Sequence, residues 1–376
     1  MNAVAAIAGN DDFRLMELAL ALGRRGLGRT WPNPAVGAVL VRRRPDGPII
    51  VGRGWTQLRG RPHAETQALD RAGDAARGAT LYVTLEPCSH HGQTPPCADA
   101  LIAAGIAEVV SALEDPNPQV AGEGHRRLAA AGVVVKVGIG AEAARRDHAG
   151  HISRMRAGRP HVTLKLAVSA DGKAGLSGRW PIPITGERAR AQVHLMRATH
   201  DAVLTGIGTV LADDPLLTCR LPGMADRSPV RVVLDSNLRI GLDTRLVATA
   251  RETPLWVVAS QRAAHDRAQA LHECGVEVLW ATVRNGRLDL EAVLKHLSER
   301  GITRLMVEAG PILAAAMLGA DLVDAAALLR SPAAIGPDGI DALEGLSIAA
   351  LTRSPRLELI RTESLGEDTI ELLTRR

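Results

Sequence analysis

Apolar residues recur three and four positions apart near the start of the chain. This spacing predicts an amphipathic helix over residues 12–25, with Asp11 or Asp12 as its N-cap. Two short apolar segments follow, "AVGAVLV" (35–41) and "PIIVGRGW" (48–55), and the turn-forming residues "RRRPDG" separate them, which predicts a β-hairpin. The apolar stripe of the helix consists of Leu15, Leu18, Ala19 and Leu22.

The residues after the hairpin alternate between helical and strand-like segments. Helices are predicted for "HAETQALDRAG", "PCADALIAAG" and "GEGHRRLAAAG", and strands for "ATLYVTLE", "AEVVSAL" and "VVVKVGI". This alternation predicts a sheet that is covered on both faces, so residues 1–145 are expected to form a three-layer α/β domain. The polar, basic segment 146–160, which ends in a proline, is expected to link this domain to the next.

A second alternation starts at residue 161 and predicts a second α/β domain over residues 161–376. The strand-like segments are 161–169, 201–207, 229–236, 254–260, 276–281 and 302–308. The helical segments are 187–198, 262–274, 290–300 and 311–319.

Composition narrows the classes of protein that this chain can belong to. With 376 residues, 46% of them hydrophobic and 23% charged, the chain is long enough for two globular domains. It has no basic leader and no apolar run of roughly 18 residues, so a cytoplasmic protein that does not enter a membrane is expected. The net charge is only +4, and one Phe, one Tyr and five Trp leave little for stacking on bases, so a nucleic-acid partner is disfavoured.

A clustered cysteine pair in the first domain indicates a metal site. The segment "EPCSHHGQTPPC" (86–97) carries Cys88 and Cys97, and "RPHAETQAL" supplies His63 and Glu65 upstream. One imidazole and two thiolates are three protein ligands for Zn²⁺, which is typical of a catalytic zinc site whose fourth position holds water. Glu65 suits the role of proton carrier, because zinc lowers the pKa of bound water from about 15.7 to about 7. His-x-Glu followed by Pro-Cys and a second Cys is typical of zinc deaminases.

Other interpretations of these cysteines stay open. A redox pair would favour Cys-x-x-Cys, which is absent here, and a structural zinc site would need a fourth ligand. His90 or His91 could be that ligand or could line the substrate pocket. Cys219 and Cys274 stand alone and are interpreted as small buried apolar residues.

The second domain carries one phosphate-binding pattern. No Gly-x-Gly-x-x-Gly follows a strand, so a Rossmann domain is not indicated. In "MVEAGPIL", Gly310 and Pro311 open a helix directly after a strand, and such a helix start offers free backbone N–H groups to a phosphate. The same pattern also fits an ordinary turn between a strand and a helix.

Several of these motifs resemble the bifunctional deaminase/reductase of riboflavin biosynthesis. The resemblance rests on "TLEPCSHHGQTPPCADALIAAGI", "EDPNPQVAGEG", "LKLAVSADGKAG", "THDAVLTGIGTVLADDPLLTCR", "VRVVLDS" and "VEAGPILAAAML", and it covers nearly the whole chain. General zinc deaminases place two residues between the cysteines, whereas here there are eight. The resemblance implies a cytidine-deaminase-like domain followed by a dihydrofolate-reductase-like domain.

The resemblance also implies a reaction and its cofactors. Zinc-activated water would deaminate 2,5-diamino-6-ribosylamino-4(3H)-pyrimidinone 5′-phosphate, and NADPH would then reduce the ribosyl group to ribityl. The implied zinc ligands are His63, Cys88 and Cys97, and Glu65 is the implied proton donor. The implied substrate-binding residues are Asn33, His90, Arg197, Leu217, Arg220 and Glu308. The implied cofactor-binding residues are Ala167, Thr209, Asp213, Ser236, Gly310, Pro311, Ile312, Leu313, Ala314, Ala315 and Ala316.

The chain departs from the family pattern at three positions. Pro181 and Pro183 replace a serine that contacts substrate and a tryptophan that contacts cofactor, although Trp180 is nearby. Gln93 stands where relatives often carry a basic residue, so another group is expected to hold the phosphate.

Three alternative functions remain at this stage. They are a deaminase with a weak or inactive reductase domain, a cytidine or tRNA-type deaminase joined to an unrelated domain, and a non-catalytic protein that zinc stabilises. Small-residue segments such as "AAAG" are compatible with close packing between subunits, and a homo-oligomer is expected.

Overall fold

The chain folds into two compact units, Met1–Gly158 and Arg159–Arg376. The computed structural model describes residues 2–90, 95–118, 120–176 and 182–376, with side chains from Asp11 onward. The segment 146–160, predicted as a linker, forms the end of one helix and all of another, and both helices belong to the first unit.

The first unit is a five-stranded sheet, within the described residues, between two layers of helices. The strand order is β2-β1-β3-β4-β5; β1 is antiparallel to both of its neighbours and the other pairs are parallel. The strands are β1 (Gly37–Arg44), β2 (Gly47–Trp55), β3 (Thr80–Val83), β4 (Glu108–Ser111) and β5 (Val134–Val137). The helices are α1 (Asn2–Arg24), α2 (Ala64–Ala72), α3 (Cys97–Ala103), α4 (Glu123–Ala130), α5 (Ala141–Asp147) and α6 (Ala149–Ala157).

Glycines allow α1 and α2 to contact opposite faces of this sheet. A Cβ atom on Gly37 would lie 1.8 Å from the Ala19 carbonyl oxygen of α1. A Cβ on Gly52 or Gly54 of β2 would lie 2.2 Å from a carbonyl oxygen of α2. Since Gly54 pairs with Ala38, the residue after Gly37, these contacts are on opposite faces of the sheet. The predicted three-layer domain is therefore confirmed.

The predicted N-cap of α1 is wrong. The helix begins at Asn2, so Asp11 and Asp12 lie inside it. The buried Asp12 carboxylate instead accepts hydrogen bonds from Tyr82 Oη and Arg43 Nη2, each at 2.5 Å. Asp12 therefore connects α1 to β1 and β3 through its side chain and does not cap the helix.

The second unit is built on a nine-stranded sheet within the described residues. Its strand order is β11-β10-β9-β8-β14-β6-β15-β18-β17; the pairs from β11 to β15 are parallel and the last two are antiparallel. The strands of this sheet are β6 (His161–Val168), β8 (Ala202–Gly206), β9 (Val230–Leu234), β10 (Leu255–Ser260), β11 (Glu277–Ala281), β14 (Arg304–Glu308), β15 (Ala325–Arg330), β17 (Leu357–Leu365) and β18 (Asp368–Arg375).

Helices and two small hairpins complete this unit. The helices are α7 (Glu187–Ala198), α8 (Ile207–Asp213), α9 (Arg245–Ala248), α10 (His265–Glu273), α11 (Leu290–Glu299), α12 (Pro311–Gly319) and α13 (Ala349–Thr352). The two-stranded pairs join β7 (Lys173–Leu176) to β16 (Gly339–Asp341) and β12 (Val283–Arg284) to β13 (Arg287–Leu288). The predicted α/β class is confirmed here as well.

None of the described helices is both long enough and apolar enough to cross a membrane.

Candidate active sites

Three side chains in the first unit converge on one point. Cys97 Sγ lies 3.3 Å and Cys88 Sγ 3.7 Å from His63 Nδ1, and all three ligand atoms lie within 4.8 Å of one another. A tetrahedral zinc ion bound at about 2.0–2.3 Å would hold such atoms about 3.6 Å apart. The three side chains predicted as zinc ligands are therefore at the spacing that zinc requires.

The ends of secondary-structure elements place these ligands. His63 is the residue before α2, Cys97 is the first residue of α3, and Cys88 follows β3. The backbone N–H of Cys97 donates to Cys88 Sγ over 3.3 Å, and that of Ala98 donates to the Cys88 carbonyl over 3.2 Å. Because the Cys97 N–H belongs to the open end of a helix, it favours negative charge on the Cys88 sulfur.

Glu65 lies in the first turn of α2, two residues after His63, and only 4% of its surface is exposed. Burial raises the pKa of this carboxyl to about 7. The hydrogen bond with Cys97 lowers the pKa of the Cys88 thiol to about 4. The hydrogen bond with Cys88 also raises the pKa of His63. The site thus combines three side chains at metal-ligand spacing with a buried carboxyl whose pKa lies near neutrality.

A second cluster with metal-ligand spacing, formed by Glu86, Glu114 and His125, does not fit a metal. The Glu86 side chain is fully buried and already accepts four backbone hydrogen bonds. Its donors are the N–H groups of Asp115, Gly122, Gly124 and His125. Glu86 therefore holds Asp115 and the start of α4 close to its own strand end and has little capacity left for a cation.

The other predicted deaminase residues lie on loops around this cluster. Asn33 is half-buried, and its Nδ2 donates to the carbonyl of Gly60, three residues before His63. His90 is exposed and follows Cys88 by two residues. His91 and Gln93 lie outside the described residues.

In the second unit, a cleft of about 530 Å³ opens beyond the carboxyl ends of three adjacent parallel strands. Gly206 ends β8, Ser236 follows β9 and Gly310 follows β14, and all three line the cleft. Ligands of α/β sheets bind at such an edge. Gly310 also donates its N–H to Thr209 Oγ1 over 3.3 Å, which joins α8 to the start of α12. The structure therefore brings the predicted phosphate-binding turn into a large cleft.

Most of the predicted cofactor residues line this cleft. Those that do are Thr209, Asp213, Ser236, Gly310, Pro311, Ile312, Leu313 and Ala316. Ala314 is buried beneath them, and neither Ala315 nor Ala167 is among the lining residues. Ile182 lines the cleft, its neighbour Pro183 is exposed, and Trp180 and Pro181 lie outside the described residues.

The predicted substrate residues of this unit meet around a buried ion pair. Arg197 Nε lies 2.5 Å from Glu308 Oε1, and Arg197 Nη2 lies 2.9 Å from Oε2. Arg197 Nη1 donates to the carbonyl of Thr218, so the pair also contacts the loop that carries Leu217 and Arg220. Leu217 is buried in the core and Arg220 is exposed.

Sequence reasoning missed Lys165, which completes this ion pair. Its Nζ lies 3.9 Å from Glu308 Oε2, and its side chain is only 18% exposed. Burial lowers the pKa of Lys165. Burial alone would raise the pKa of Glu308, but Arg197 and Lys165 together lower it, so Glu308 is ionised. The signal in the sequence was a lysine inside the apolar run "LKLAV".

Two family models match the chain. The model described as "Cytidine and deoxycytidylate deaminase zinc-binding region" matches residues 10–113, and the model described as "RibD C-terminal domain" matches residues 160–370. The two matches fall in the first and second unit, respectively.

Relatives with both units are similar over nearly the full length. The chain is 42% identical to "Riboflavin biosynthesis protein RibD" of Escherichia coli over 95% of this chain and 98% of that protein. It is 40% identical to the protein of the same name from Aquifex aeolicus, over 96% and 97% of the two chains. Among solved structures, Acinetobacter baumannii RibD aligns with a TM-score of 0.86 at 35% identity, covering 98% of this chain and 99% of that one. The Thermotoga maritima diaminohydroxyphosphoribosylaminopyrimidine deaminase/5-amino-6-(5-phosphoribosylamino)uracil reductase aligns with a TM-score of 0.84 at 33% identity, covering 98% and 100%.

Proposed function

This chain belongs to the RibD family of riboflavin biosynthesis, and on that premise we propose which of its residues carry out each of its two reactions. It is a bifunctional enzyme in which a zinc-dependent, cytidine-deaminase-like domain precedes an NADPH-dependent, dihydrofolate-reductase-like domain. Its substrate is a small phosphorylated pyrimidine. These assignments confirm the family, the fold class, the cofactors and the main function predicted from the sequence.

The first reaction is hydrolytic deamination of 2,5-diamino-6-ribosylamino-4(3H)-pyrimidinone 5′-phosphate. His63, Cys88 and Cys97 would hold zinc, because their ligand atoms are spaced as zinc requires. When bound, zinc supplies a Lewis acid that activates water near neutral pH. Asn33 and His90 would orient the pyrimidine. Asn33 is hydrogen-bonded to Gly60, shortly before His63, and His90 follows Cys88 by two residues.

Glu65 is the proton carrier of this reaction. It would accept a proton from the attacking water and deliver it to the departing amine, because burial places its pKa near neutrality. It is not a zinc ligand in this proposal, since the His63 and cysteine atoms already make a three-donor set. The proximity of this buried carboxyl to the three ligand atoms is the observation that carries the proposal.

The second reaction is reduction of the ribosyl group to ribityl in the cleft of the second unit. The start of α12, from Gly310 to Ala316, would bind the cofactor diphosphate together with Thr209 and Ser236. When bound, NADPH supplies the reducing equivalents. Leu217 would contact the substrate, and the exposed Arg220 would bind its phosphate, because a guanidinium pairs two oxygens at once. Arg197, whose guanidinium is already paired with Glu308, would hold that carboxylate in position beside the substrate. Glu308 would bind a substrate hydroxyl.

A coupled assay tests both assignments on one sample. Purified protein should contain about one zinc per chain, release ammonia from the phosphorylated pyrimidine and then oxidise NADPH. Ammonia release without NADPH oxidation would indicate that the reductase is inactive. This is the alternative suggested by the prolines at positions 181 and 183, where the family pattern has a serine and a tryptophan. Failure of both steps would refute the proposal.

The proposal also includes the cellular setting expected from the sequence. We place the enzyme in the cytoplasm as a homo-oligomer, with no nucleic-acid or membrane partner. Light scattering of the purified protein measures the oligomeric state directly, and a mass of 39.7 kDa would contradict an oligomer.

A further inference from the structure

The cofactor cleft is lined by two arginines that are not among the predicted binding residues. Arg239 follows β9, three residues after Ser236, and Arg287 lies in β13 of the small hairpin. The third charged residue of the described cleft lining is Asp213. The cleft therefore carries more positive charge than the start of α12 alone would give it.

Arg239 lies on a loop whose backbone is held by hydrogen bonds, and the Arg239 side chain itself is exposed. The fully buried Asp235 accepts the backbone N–H of Ile240 over 2.8 Å, which holds the loop after β9 in place. The Arg239 side chain is 56% exposed, and its Nε lies 3.9 Å from Asp235 Oδ1, too far for a hydrogen bond. The guanidinium thus has donors available for a ligand in the cleft.

Arg287 is held in place by a tight hairpin turn. Asn285 and Gly286 both have positive φ angles, as the two-residue turn between β12 and β13 requires. Arg284, the cross-strand neighbour of Arg287, forms an ion pair with Asp289 over 3.1 Å. Among the described residues, Arg287 forms no ion pair, and its side chain is exposed at the cleft.

NADPH and NADH differ only in the 2′-phosphate of the adenosine ribose. In the proposed site the start of α12 binds the diphosphate, which both coenzymes share. The extra phosphate needs its own cations, and arginine is the residue that accommodates it in dinucleotide sites.

We propose that Arg239 and Arg287 bind the 2′-phosphate and give this enzyme its preference for NADPH over NADH. The inference rests on the proposed assignment of this cleft as the NADPH site. It adds a specificity determinant that acts on coenzyme binding and takes no part in the chemistry at the ribosyl group.

Direct binding measurements on the full-length protein test this inference. Dissociation constants for NADPH and for NADH are measured by titration calorimetry for wild type, Arg239→Gln, Arg287→Gln and the double variant. Glutamine keeps much of the stem while removing the charge. Arg284→Gln is the matched control, because Arg284 lies in the same hairpin and does not line the cleft. Thermal melting checks that each variant is folded.

Each single variant should bind NADPH roughly tenfold more weakly or worse, with NADH affinity unchanged. Arg284→Gln should leave both affinities unchanged. Equal losses for NADPH and NADH would assign the arginines to the shared diphosphate and overturn the inference, as would no loss for either. Binding of neither coenzyme by wild type would instead refute the proposed NADPH site itself.

Discussion

Arg197 and Glu308 form a bidentate ion pair that joins helix α7 to the carboxyl end of β14. Both side chains are nearly buried, with exposed fractions of 12% and 10%. Lys165 lies on the neighbouring strand β6, directly beside Glu308 in the strand register. This cluster therefore places two basic side chains around one carboxylate with little access to water, and the pairing with Arg197 lowers the pKa of Glu308 against the effect of burial.

Removal of Arg197 should be costly for stability as well as for reduction. Arg197→Ala leaves the buried Glu308 carboxylate with only the more distant Lys165, so we expect a loss of about 3–5 kcal/mol in the free energy of unfolding. Chemical denaturation of the full-length chain measures this change. NADPH oxidation should fall, and ammonia release should be unaffected.

The matched control for this prediction is a more exposed ion pair of the same unit. Arg330 and Glu371 lie 2.9 Å apart, and their side chains are 25% and 23% exposed. Arg330→Ala should cost about 1 kcal/mol or less. Similar losses in the two variants would contradict the special role of the buried pair.

Glu65→Gln should separate catalysis from metal binding in the deaminase. Glutamine has the shape of glutamate but cannot carry the proton, so ammonia release should fall by roughly 10²–10⁴-fold while zinc content stays near one per chain. Glu114→Gln, which changes an exposed carboxylate of the same unit, should have little effect on turnover. Loss of zinc from the Glu65 variant would show that Glu65 is a ligand.

Cys88→Ser should lower the zinc content. The alcohol is a far poorer ligand than a thiolate, and the two remaining donors cannot hold the ion. Elemental analysis measures the metal, and circular dichroism should show that the fold persists, because the apolar core covers both faces of the sheet. Cys274→Ser is the control, since Cys274 is also half-buried and lies in the other unit. Full zinc occupancy in the Cys88 variant would refute the ligand assignment.

Stability should fall in mild acid because His200 is buried in its neutral form. Its Nδ1 donates to the carbonyl of Met196 over 2.7 Å, and Nε2 lies 3.2 Å from Thr163 Oγ1. Burial, with Arg304 nearby, lowers its pKa to about 3, below the ordinary value of 6.5. The unfolded chain therefore binds a proton that the folded chain does not, and stability that is present above pH 6.5 is lost as the pH falls below it.

The expected loss from this one group between pH 7.5 and 5.5 is roughly 1 kcal/mol. Urea unfolding at the two pH values measures it, and His200→Gln should reduce the difference by about that amount. His272→Gln, which changes an exposed histidine of α10, should leave the difference unchanged. An unaltered pH dependence in the His200 variant would rule out this explanation.

Local sequence patterns predicted the elements that bury one face only, and those that begin at a recognisable helix-start residue such as Pro311. The limits of α7 and α12 agree with the predicted residues 187–198 and 311–319. The strands β15, β17 and β18 were missed. In β15 the residues are mostly Ala and Leu, which favour helices, so its strand form depends on pairing with β6, far away in the sequence. The helix α8 was missed because glycines flank its first residue.

The candidate zinc site could be predicted because each residue type is chemically distinctive and lies near the end of an element. The cluster around Glu308 could be predicted only in part. Arg197 and Glu308 came from the family resemblance, whereas Lys165 lies beside Glu308 only because β6 and β14 are neighbours in the sheet. That pairing brings together residues from distant parts of the chain, and no local pattern indicates it.

Strand β6 comes first in the second unit, yet it lies inside the sheet, between β14 and β15. Just before β6, Arg159 forms a bidentate ion pair with Asp324, the residue that precedes β15. A gene designed to encode the reductase alone should therefore start at or before Arg159. A start at residue 160 would lose the ion pair with Asp324. A start within β6 would remove the strand that pairs with both β14 and β15, so β15 and the antiparallel strands beyond it would no longer be joined to the rest of the sheet.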